Sequence, residues 1–291
     1  MTGLGWKCPD SKLILAADAP REEWLAARAT GIGGSDAAAL TGDSPYDDGT
    51  PWFVYQSKID PTFGEENANR AMDRGRRMEP IVCELFEEET GLKTRRQGLH
   101  QSKANPVLLA SVDRLTNDDG GLETKTSTTW TERTWPEDGS CPPLYERQAD
   151  HYLMVTGRTH WWVAALIIDT WQLRTWCIER NEERLEYLAT VEDEFWKTYV
   201  GPRVEPELDW DRITNSEIEA RFPRVTEDVL DIDPDADEAG VLFELYQRRE
   251  KLAAEKKTVT GEYERVQTQL KAFAAGYGEI RVGGHTVFTY R

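Results

Sequence analysis

The chain of 291 residues has only four cysteines, and none of them is spaced as a metal or cluster ligand. They lie far apart without a Cys-x-x-Cys pair, which argues against zinc and against an iron–sulfur cluster. No apolar run approaches the roughly 18 residues of a membrane span, and no signal peptide is evident. We therefore expect a cytoplasmic protein with free thiols and no membrane partner.

Positive charge is also scarce: 35 Lys and Arg stand against 53 Asp and Glu, a formal net charge of −18. Phosphate contacts require Lys and Arg, so the surface as a whole is unsuited to nucleic acid. A local basic groove remains compatible with this balance, and Arg74, Arg76 and Arg77 form the densest basic patch. Any contact with DNA is therefore expected to be confined to one region.

The stretch 108–126 predicts two short strands joined by an Asn-Asp-Asp-Gly-Gly turn. The first strand would carry Asp113 at its end, and the second carries Glu123 and Lys125, whose side chains share a face. Two carboxylates suit Mg²⁺, and a neighbouring lysine can hold or deprotonate a water. This stretch alone leaves open a surface hairpin with a solvated Glu–Lys pair.

Asp113 with Glu123-Thr-Lys125 resembles the D…E-x-K core of the PD-(D/E)XK nuclease superfamily. Over roughly residues 25–200 the chain resembles the YqaJ/lambda-exonuclease branch of phage recombination nucleases. The matching segments are Arg28, Ile32-Gly-Gly-Ser35-Asp-Ala-Ala, Ser44-Pro-Tyr46, Gly75-x-x-x-Glu79 and Gln148-x-x-x-Tyr152. One departure is Ser-Val-Asp113-Arg, where the family often has Pro-Asp or Asp-Gly.

The resemblance implies a set of catalytic residues around Mg²⁺, for which Mn²⁺ would substitute. Asp113, Glu123 and the backbone carbonyl of Thr124 would hold the metal, and Lys125 and Gln148 would position the attacking water. Glu79 would be an accessory acid. Without the resemblance, Glu79 is a solvated helix residue.

The resemblance also implies phosphate contacts. Arg28 and Ser35 would grip a DNA phosphate, with Tyr152 and Arg76 as further contacts. Read from the residues alone, Gly31 to Asp36 is a turn that begins a helix, with Ser35 or Asp36 as its cap.

The function implied is a Mg²⁺-dependent DNA exonuclease acting on double-stranded ends, 5′ to 3′. It would leave 3′ single strands for phage-type homologous recombination. Its partners would be DNA ends, a single-strand annealing protein and further copies in a trimer, within a bacterial host cytoplasm if a phage encodes it. Two alternatives stay open, a structure-specific or defence endonuclease of the same fold and a non-catalytic DNA-end-binding scaffold.

The fold expected is α/β, a restriction-endonuclease-like core with a mixed central sheet flanked by helices. We predict this nuclease core over residues 1–200, with helices at 21–28, 71–89, 144–157 and 181–199 and a loop at 60–70. Residues 201–238 read as an acidic, proline-containing linker that includes Asp228, Asp231, Asp233 and Asp235. Residues 239–291 form a helical module, an exposed helical hairpin or coil, ending in a β-hairpin through Gly283-Gly284.

Three further side chains carry expectations. Trp130 and Trp135 are the better surface candidates among the eleven tryptophans, and the loop 134–143 would let them stack on DNA. Lys58 is a candidate backbone contact, and His151 is expected to be structural rather than a ligand.

Overall fold

A computed structural model of the chain describes residues 3–60, 62–63, 70–224, 229–234 and 236–289, with backbone only at 70–72. The chain divides into two compact units, Met1–Pro223 and Arg224–Arg291. Among the helices in these described ranges, none has both the length and the apolar composition required to span a membrane.

Two mixed sheets form the centre of the first unit. The smaller sheet has the order β1 (Ser11–Leu15), β4 (Leu99–Ser102), β5 (Leu108–Ser111), β2 (Ile32–Gly33). The larger has the order β3 (Thr94–Arg96), β6 (Arg114–Thr116), β7 (Gly120–Ser127), β8 (His160–Ile167), β9 (Gln172–Glu179). β2 runs parallel to β5 and β7 parallel to β8, and the other pairs are antiparallel.

Helices flank these sheets. They are α1 (Arg21–Arg28), α2 (Gly34–Thr41), α3 (Pro51–Ile59), α4 (Arg70–Thr90), α5 (Thr129–Glu132), α6 (Pro143–Thr156), α7 (Glu182–Phe195) and α8 (Asn215–Arg221). Local chemistry explains several ends: α2 and α6 stop at Gly42 and Gly157, both in the left-handed conformation that glycine adopts at little cost. A π-helical turn, Trp196–Val200, follows α7.

Strand β8 lies at the centre of the core, because helices cover both faces of the larger sheet. Its last five residues are buried, which explains why this segment reads as a continuous apolar run. On one side, Val82 and Phe86 of α4 pack against Leu122 and Leu166. Each fully buried side chain of this kind stabilises the fold by roughly 1.5–3 kcal/mol.

The predicted α/β class with a mixed sheet, flanking helices and a terminal strand pair is confirmed, but the sheet is divided. The chain leaves the smaller sheet after Ser111 and enters the larger one at Arg114. Strand β1 was not predicted, because residues 11–15 show no clear polar–apolar period. It is defined by its antiparallel pairing with β4, in which Leu13 pairs with His100, 87 residues further along the chain.

The first compact unit extends beyond the predicted core boundary at residue 200. Residues 201–223 belong to it because α8 is bonded to α3: Thr50 Oγ1 donates to the buried Glu217 carboxylate at 2.6 Å. Arg221 lies between Glu217 and Glu205. Of the predicted linker, Asp228 and Asp235 lie outside the described residues, as do 61 and 64–69 of the predicted loop.

The second unit contains one long helix and a β-hairpin. Helix α9 (Asp237–Ala274) is continuous over 38 residues, so the helical hairpin considered from the sequence is absent from this described range. Strands β10 (Glu279–Val282) and β11 (His285–Thr289) pair antiparallel. Their turn is formed by Gly283 and Gly284, both with positive φ, as the sequence predicted.

A buried arginine ties the N-terminal segment to the hairpin turn of the larger sheet. The Arg158 side chain has no exposed surface, and its guanidinium donates to the carbonyls of Gly5, Lys7, Thr116 and Gly120 at 2.7–3.1 Å. Carbonyl partners satisfy its donors, although burial lowers its pKa from the ordinary value.

We predict that Arg158→Met lowers the free energy of unfolding of the first unit by about 3 kcal/mol, because several buried carbonyls lose their donor. Urea unfolding followed by tryptophan fluorescence measures this. The exposed Arg133 supplies the control, because Arg133→Met should change the free energy of unfolding by less than about 0.5 kcal/mol. Equal midpoints for the two variants would contradict a structural role for Arg158.

Candidate active site

Asp113 lies at the junction of the two sheets, and β7 holds it in place. Its Oδ2 accepts hydrogen bonds from the backbone N–H and the Oγ1 hydroxyl of Thr124, both at 3.0 Å. The sequence placed Asp113 at the end of a hairpin strand, but β5 ends at Ser111 and the hairpin consists of β6 and β7. The predicted proximity of Asp113 and the Glu123 segment nevertheless follows from these two bonds.

Glu123 is a buried carboxylate with one satisfied and one unsatisfied oxygen. Only 5% of the residue is exposed. Its Oε1 accepts from Lys125 Nζ at 2.7 Å and from Gln148 Nε2 at 2.8 Å, whereas Oε2 is buried with no hydrogen-bond partner among the described residues. Burial, and then the nearby Asp113 charge, raises the pKa of Glu123 to about 7.

Lys125 and Gln148 complete a hydrogen-bonded group around Glu123. Lys125 Nζ also donates to Gln148 Oε1 at 2.8 Å, and Gln148 Nε2 also donates to Tyr152 Oη at 2.8 Å. Burial alone would lower the pKa of Lys125, but the Glu123 carboxylate outweighs burial and raises it. Lys125 is therefore an ammonium ion at neutral pH, and burial keeps Tyr152 a neutral phenol by raising its pKa.

The paired glycines of the predicted turn allow α2 to approach α6. A Cβ added to Gly34 would lie 2.7 Å from the Tyr152 ring and 3.1 Å from Gln148 Cγ. Only a residue without a side chain fits at this distance. The glycine thus places the start of α2 directly beside Gln148 and Tyr152.

The start of α2 also carries the predicted phosphate-binding pair. Arg28 Nη2 donates to Ser35 Oγ and lies 3.6 Å from Asp36 Oδ1, and the Arg28 guanidinium lies 5.2 Å from the centre of the Trp24 ring. Ser35 is exposed and Arg28 is partly exposed, so both can reach a ligand. Backbone N–H groups and the helix dipole at this position favour an anion.

The buried carboxylate of Asp36 holds this arrangement in place. Its carboxylate accepts from the Gly33 N–H at 2.8 Å, which caps α2 as the sequence allowed, and from Lys58 Nζ at 2.6 Å. Burial would raise the pKa of Asp36, but Lys58 and Arg28 outweigh it and lower the pKa. Asp36 is therefore ionised and orients the Arg28 guanidinium.

These groups share one cleft of about 180 Å³. The predicted residues that line it are Arg28, Ser35, Asp113, Glu123, Gln148 and Tyr152. Lys125 reaches the same group through its bonds to Glu123 and Gln148. Within the described part of the chain no group of three or more His, Cys, Asp or Glu side chains is arranged to hold a metal, so a metal here would rest on two carboxylates.

Glu79 and Arg76 do not line the cleft. Glu79 Oε1 accepts from Arg114 Nη2 at 3.3 Å, and burial followed by the Asp113 charge raises the pKa of Glu79. Glu79 is thus within electrostatic reach of Asp113 and paired with a cation. Arg76 is exposed on α4 and lies 3.8 Å from Asp73.

Two further sequence expectations have clear outcomes. Lys58 as a DNA contact was wrong, because its side chain is 1% exposed and is held by Asp36. His151 is structural, as expected: it is buried, with Nδ1 2.8 Å from Glu192 Oε1 and Nε2 2.8 Å from the carbonyl of Leu109.

The two candidate surface tryptophans differ. Trp130 is 76% exposed. Trp135 is partly buried and packs edge-on against Tyr145 and Trp176, with ring centres 6.2 and 5.4 Å apart. The Trp135 ring therefore has a packing role, and Trp130 is the freer of the two for a ligand.

Sequence reasoning missed several lining residues, namely Trp24, Leu99, Leu109 and Ser111. Trp24 had a detectable signal, since it lies four residues before Arg28 on the predicted helix α1 and therefore on the same face. The other three belong to β4 and β5, whose neighbourhood depends on how the two sheets meet.

The cleft residues lie within a segment that matches a known protein family. Residues 23–159 match the model of the YqaJ-like viral recombinase domain. The match confirms the resemblance read from the motifs, and it spans every predicted site residue from Arg28 to Tyr152. Over 206 residues the chain is 31% identical to the uncharacterized protein YqaJ of Bacillus subtilis strain 168, covering 69% of this chain. It spans 63% of the length of that relative.

Solved structures carry the same fold as the YqaJ-like domain. LHK-Exo, an alkaline exonuclease from Laribacter hongkongensis, has a TM-score of 0.52 and 24% identity, covering 63% of this chain and 94% of its own. LHK-Exo in complex with dAMP has a TM-score of 0.52 and 21% identity, covering 69% and 98%. At these identities the likeness establishes the fold.

The raised pKa of Glu123 predicts a pH-dependent stability. The pKa of Glu123 is about 7 in the folded state and ordinarily 4.5, so between pH 4.5 and pH 7 the folded state holds a proton that the unfolded state has lost. Its stabilising contribution is complete below 4.5 and is lost as the pH rises through 7.

We expect the metal-free protein to lose about 2–3 kcal/mol of stability from this group between pH 5 and pH 8, and Glu123→Gln to remove that loss. Urea unfolding at each pH in EDTA measures the difference between the two proteins. The exposed Glu84→Gln variant on α4 is the control and should keep the parental pH dependence. A constant difference between the parent and Glu123→Gln would contradict the raised pKa.

Proposed function

We propose that the chain is a Mg²⁺-dependent DNA exonuclease that acts on double-stranded ends from 5′ to 3′ in phage-type recombination. The observation that carries the proposal is the buried Glu123 carboxylate, with one unpartnered oxygen, in a cleft that Asp113, Arg28 and Ser35 also line. The match of residues 23–159, which include the cleft residues, to the YqaJ-like viral recombinase domain supports the proposal.

The residues present fit Mg²⁺. Asp113 and Glu123 supply hard oxygen donors. Burial, and then the Asp113 charge, raises the pKa of Glu123, and a divalent cation would offset that repulsion and give the unpartnered Oε2 a ligand bond. Two carboxylates are the usual number for Mg²⁺, which keeps waters and substrate oxygens as its other ligands. The backbone carbonyl of Thr124 is the third proposed ligand, and Mn²⁺ would substitute.

When bound, Mg²⁺ would polarise the phosphodiester and stabilise the negative charge that develops on it. Lys125, an ammonium ion held by Glu123 and Gln148, would donate to the attacked phosphate or to the water and stabilise negative charge. Its raised pKa makes it unsuited to accepting a proton. Gln148, fixed at both ends by Lys125 and Tyr152, would orient the water.

The residues proposed to bind phosphate, Arg28 and Ser35, line the same cleft. Arg28 would bind the terminal phosphate of the strand end, with Ser35 and the first N–H groups of α2 completing the anion site. Asp36 keeps the guanidinium in place, and Trp24 covers one of its faces. Tyr152, a neutral phenol, can donate to a phosphate oxygen, and Arg76 on the exposed face of α4 is proposed as a more distant contact.

The polarity and the partners rest on the resemblance. The exonuclease fold of LHK-Exo, solved also with the mononucleotide dAMP, supports release of nucleotides from a DNA end. A single-strand annealing protein would receive the 3′ strand, and a ring of three copies would enclose the duplex.

We predict that the chain degrades linear duplex DNA in Mg²⁺, and that Lys125→Met lowers the rate at least about 100-fold because charge stabilisation at the phosphate is lost. Degradation of labelled linear duplex on gels measures this, with the exposed Lys12→Met variant as the control that should retain activity. EDTA should stop the reaction in both.

Closed circular duplex run in parallel separates the alternatives. An exonuclease leaves it intact, whereas nicking or linearisation in Mg²⁺ would indicate an endonuclease. DNA retained without cutting in either Mg²⁺ or Mn²⁺ would indicate a scaffold and would remove the proposed reaction.

A second prediction concerns the 5′ end. Duplexes with a 5′-phosphate should be digested faster than duplexes with a 5′-hydroxyl, and Arg28→Ala should reduce this preference about 10- to 100-fold because a charge-assisted contact is lost. Initial rates on the two substrates give the ratio, and Arg95→Ala, an exposed arginine on β3, is the control. If the parent digests both ends equally, Arg28 does not bind a terminal phosphate.

A further inference from the structure

Helix α9 is long and exposed. It spans 38 residues, about 57 Å at the usual rise per residue, and Ala274 is its one buried residue. Large apolar side chains nevertheless occur along it, including Leu252 at 52% exposure, Val259 at 64% and Phe273 at 86%. Apolar surface of this extent on a helix normally marks an interaction site.

Most of these apolar side chains follow a heptad pattern, and the exposed Val241, Phe243 and Tyr246 lie outside it. Spacings of three and four residues alternate without interruption at ten positions, which we name the seam: Leu242, Leu245, Arg249, Leu252, Lys256, Val259, Tyr263, Val266, Leu270 and Phe273. Eight of the ten are apolar. A period of 3.5 residues keeps one stripe facing a partner helix as two helices wind around each other. The pattern therefore indicates a coiled coil.

We infer that α9 forms an antiparallel two-stranded coiled coil with α9 of a second copy of this chain. The two basic seam residues decide the orientation. In a parallel pair, Arg249 would face Arg249 and Lys256 would face Lys256, which places like charges together at the centre of the contact. The positions that flank a parallel seam, such as Arg248 opposite Ala253 and Glu262 opposite Gln267, offer no opposite charges to compensate.

The antiparallel arrangement removes this conflict. When the seams overlap fully, Leu242 packs against Phe273 of the second copy, Leu245 against Leu270 and Leu252 against Tyr263. Arg249 then lies opposite Val266, and Lys256 opposite Val259. Their aliphatic stems cover these valines while the charged ends reach water.

Charges beside the seam agree with the same register. Arg248 lies opposite Glu262 of the second copy, and this pair occurs twice by symmetry. Glu255 faces its own copy at the two-fold axis, where Lys256 of each chain is adjacent and offsets the repulsion. The seam is thus complementary to itself after a two-fold rotation, as an interface between identical chains requires.

The mass of the full chain in solution tests the assembly. Light scattering after size exclusion, in EDTA, should give an even number of copies at micromolar concentration, which is a dimer, or a hexamer if the ring of three copies also forms. Leu252→Glu should raise the dissociation constant at least about tenfold, because it places a charge in the apolar seam, whereas Thr258→Glu on the outer face of the same helix should not. A monomer, a trimer, or a dimer or hexamer that is insensitive to Leu252→Glu would overturn the inference.

Disulfide formation tests the orientation without disrupting the fold. In a Cys177→Ser background, the double variant Leu245→Cys/Leu270→Cys should form covalent dimers under mild oxidation, whereas each single variant should not. Covalent dimers from Leu245→Cys alone would indicate parallel helices, and no covalent dimer from the double variant would exclude this register. Neither assay depends on nuclease activity, so the two proposals stand or fall separately.

Discussion

The site depends on holding the Glu123 carboxylate out of water beside a second carboxylate. A buried anion is costly unless it is paired, and here Lys125 and Gln148 compensate one oxygen while the other has no partner. The surrounding structure maintains this imbalance: β8 and β7 are paired along their full length, and Gly34 lets α2 close over Gln148. Charge that is left uncompensated in this way favours a cation at the same position.

Much of the site was predictable because its residues lie on local patterns. Glu123 and Lys125 share a strand face, and Gln148 and Tyr152 share a helix face, so neighbours in the pattern remain neighbours in space. The resemblance then supplied the order of the segments. The prediction that Lys58 contacts DNA was wrong because a lysine in a short helix carries no local sign of its partner, and Asp36 lies 22 residues away.

The fold, like the site, was predictable from the sequence where local patterns determine it. Helical periodicity identified α4, and glycines marked the ends of α4 and α6. A continuous apolar run identified β8, and alternation of polar and apolar residues identified β9. The division into two sheets was not predictable, since it depends on pairing between β1 and β4 and between β2 and β5, each across a long stretch of chain. Residues 201–223 read as a linker because their composition is polar, while their attachment through Glu217 and Arg221 depends on partners distant in sequence.

The passage of the chain between the sheets at Val112 and Asp113 has a mechanical consequence. Asp113 follows the last strand of the smaller sheet, yet its carboxylate accepts two hydrogen bonds from Thr124 of β7 in the larger sheet. Glu123 is the neighbouring residue on that same strand. The spacing of the two acids is therefore set by a single strand and lasts as long as those two hydrogen bonds do.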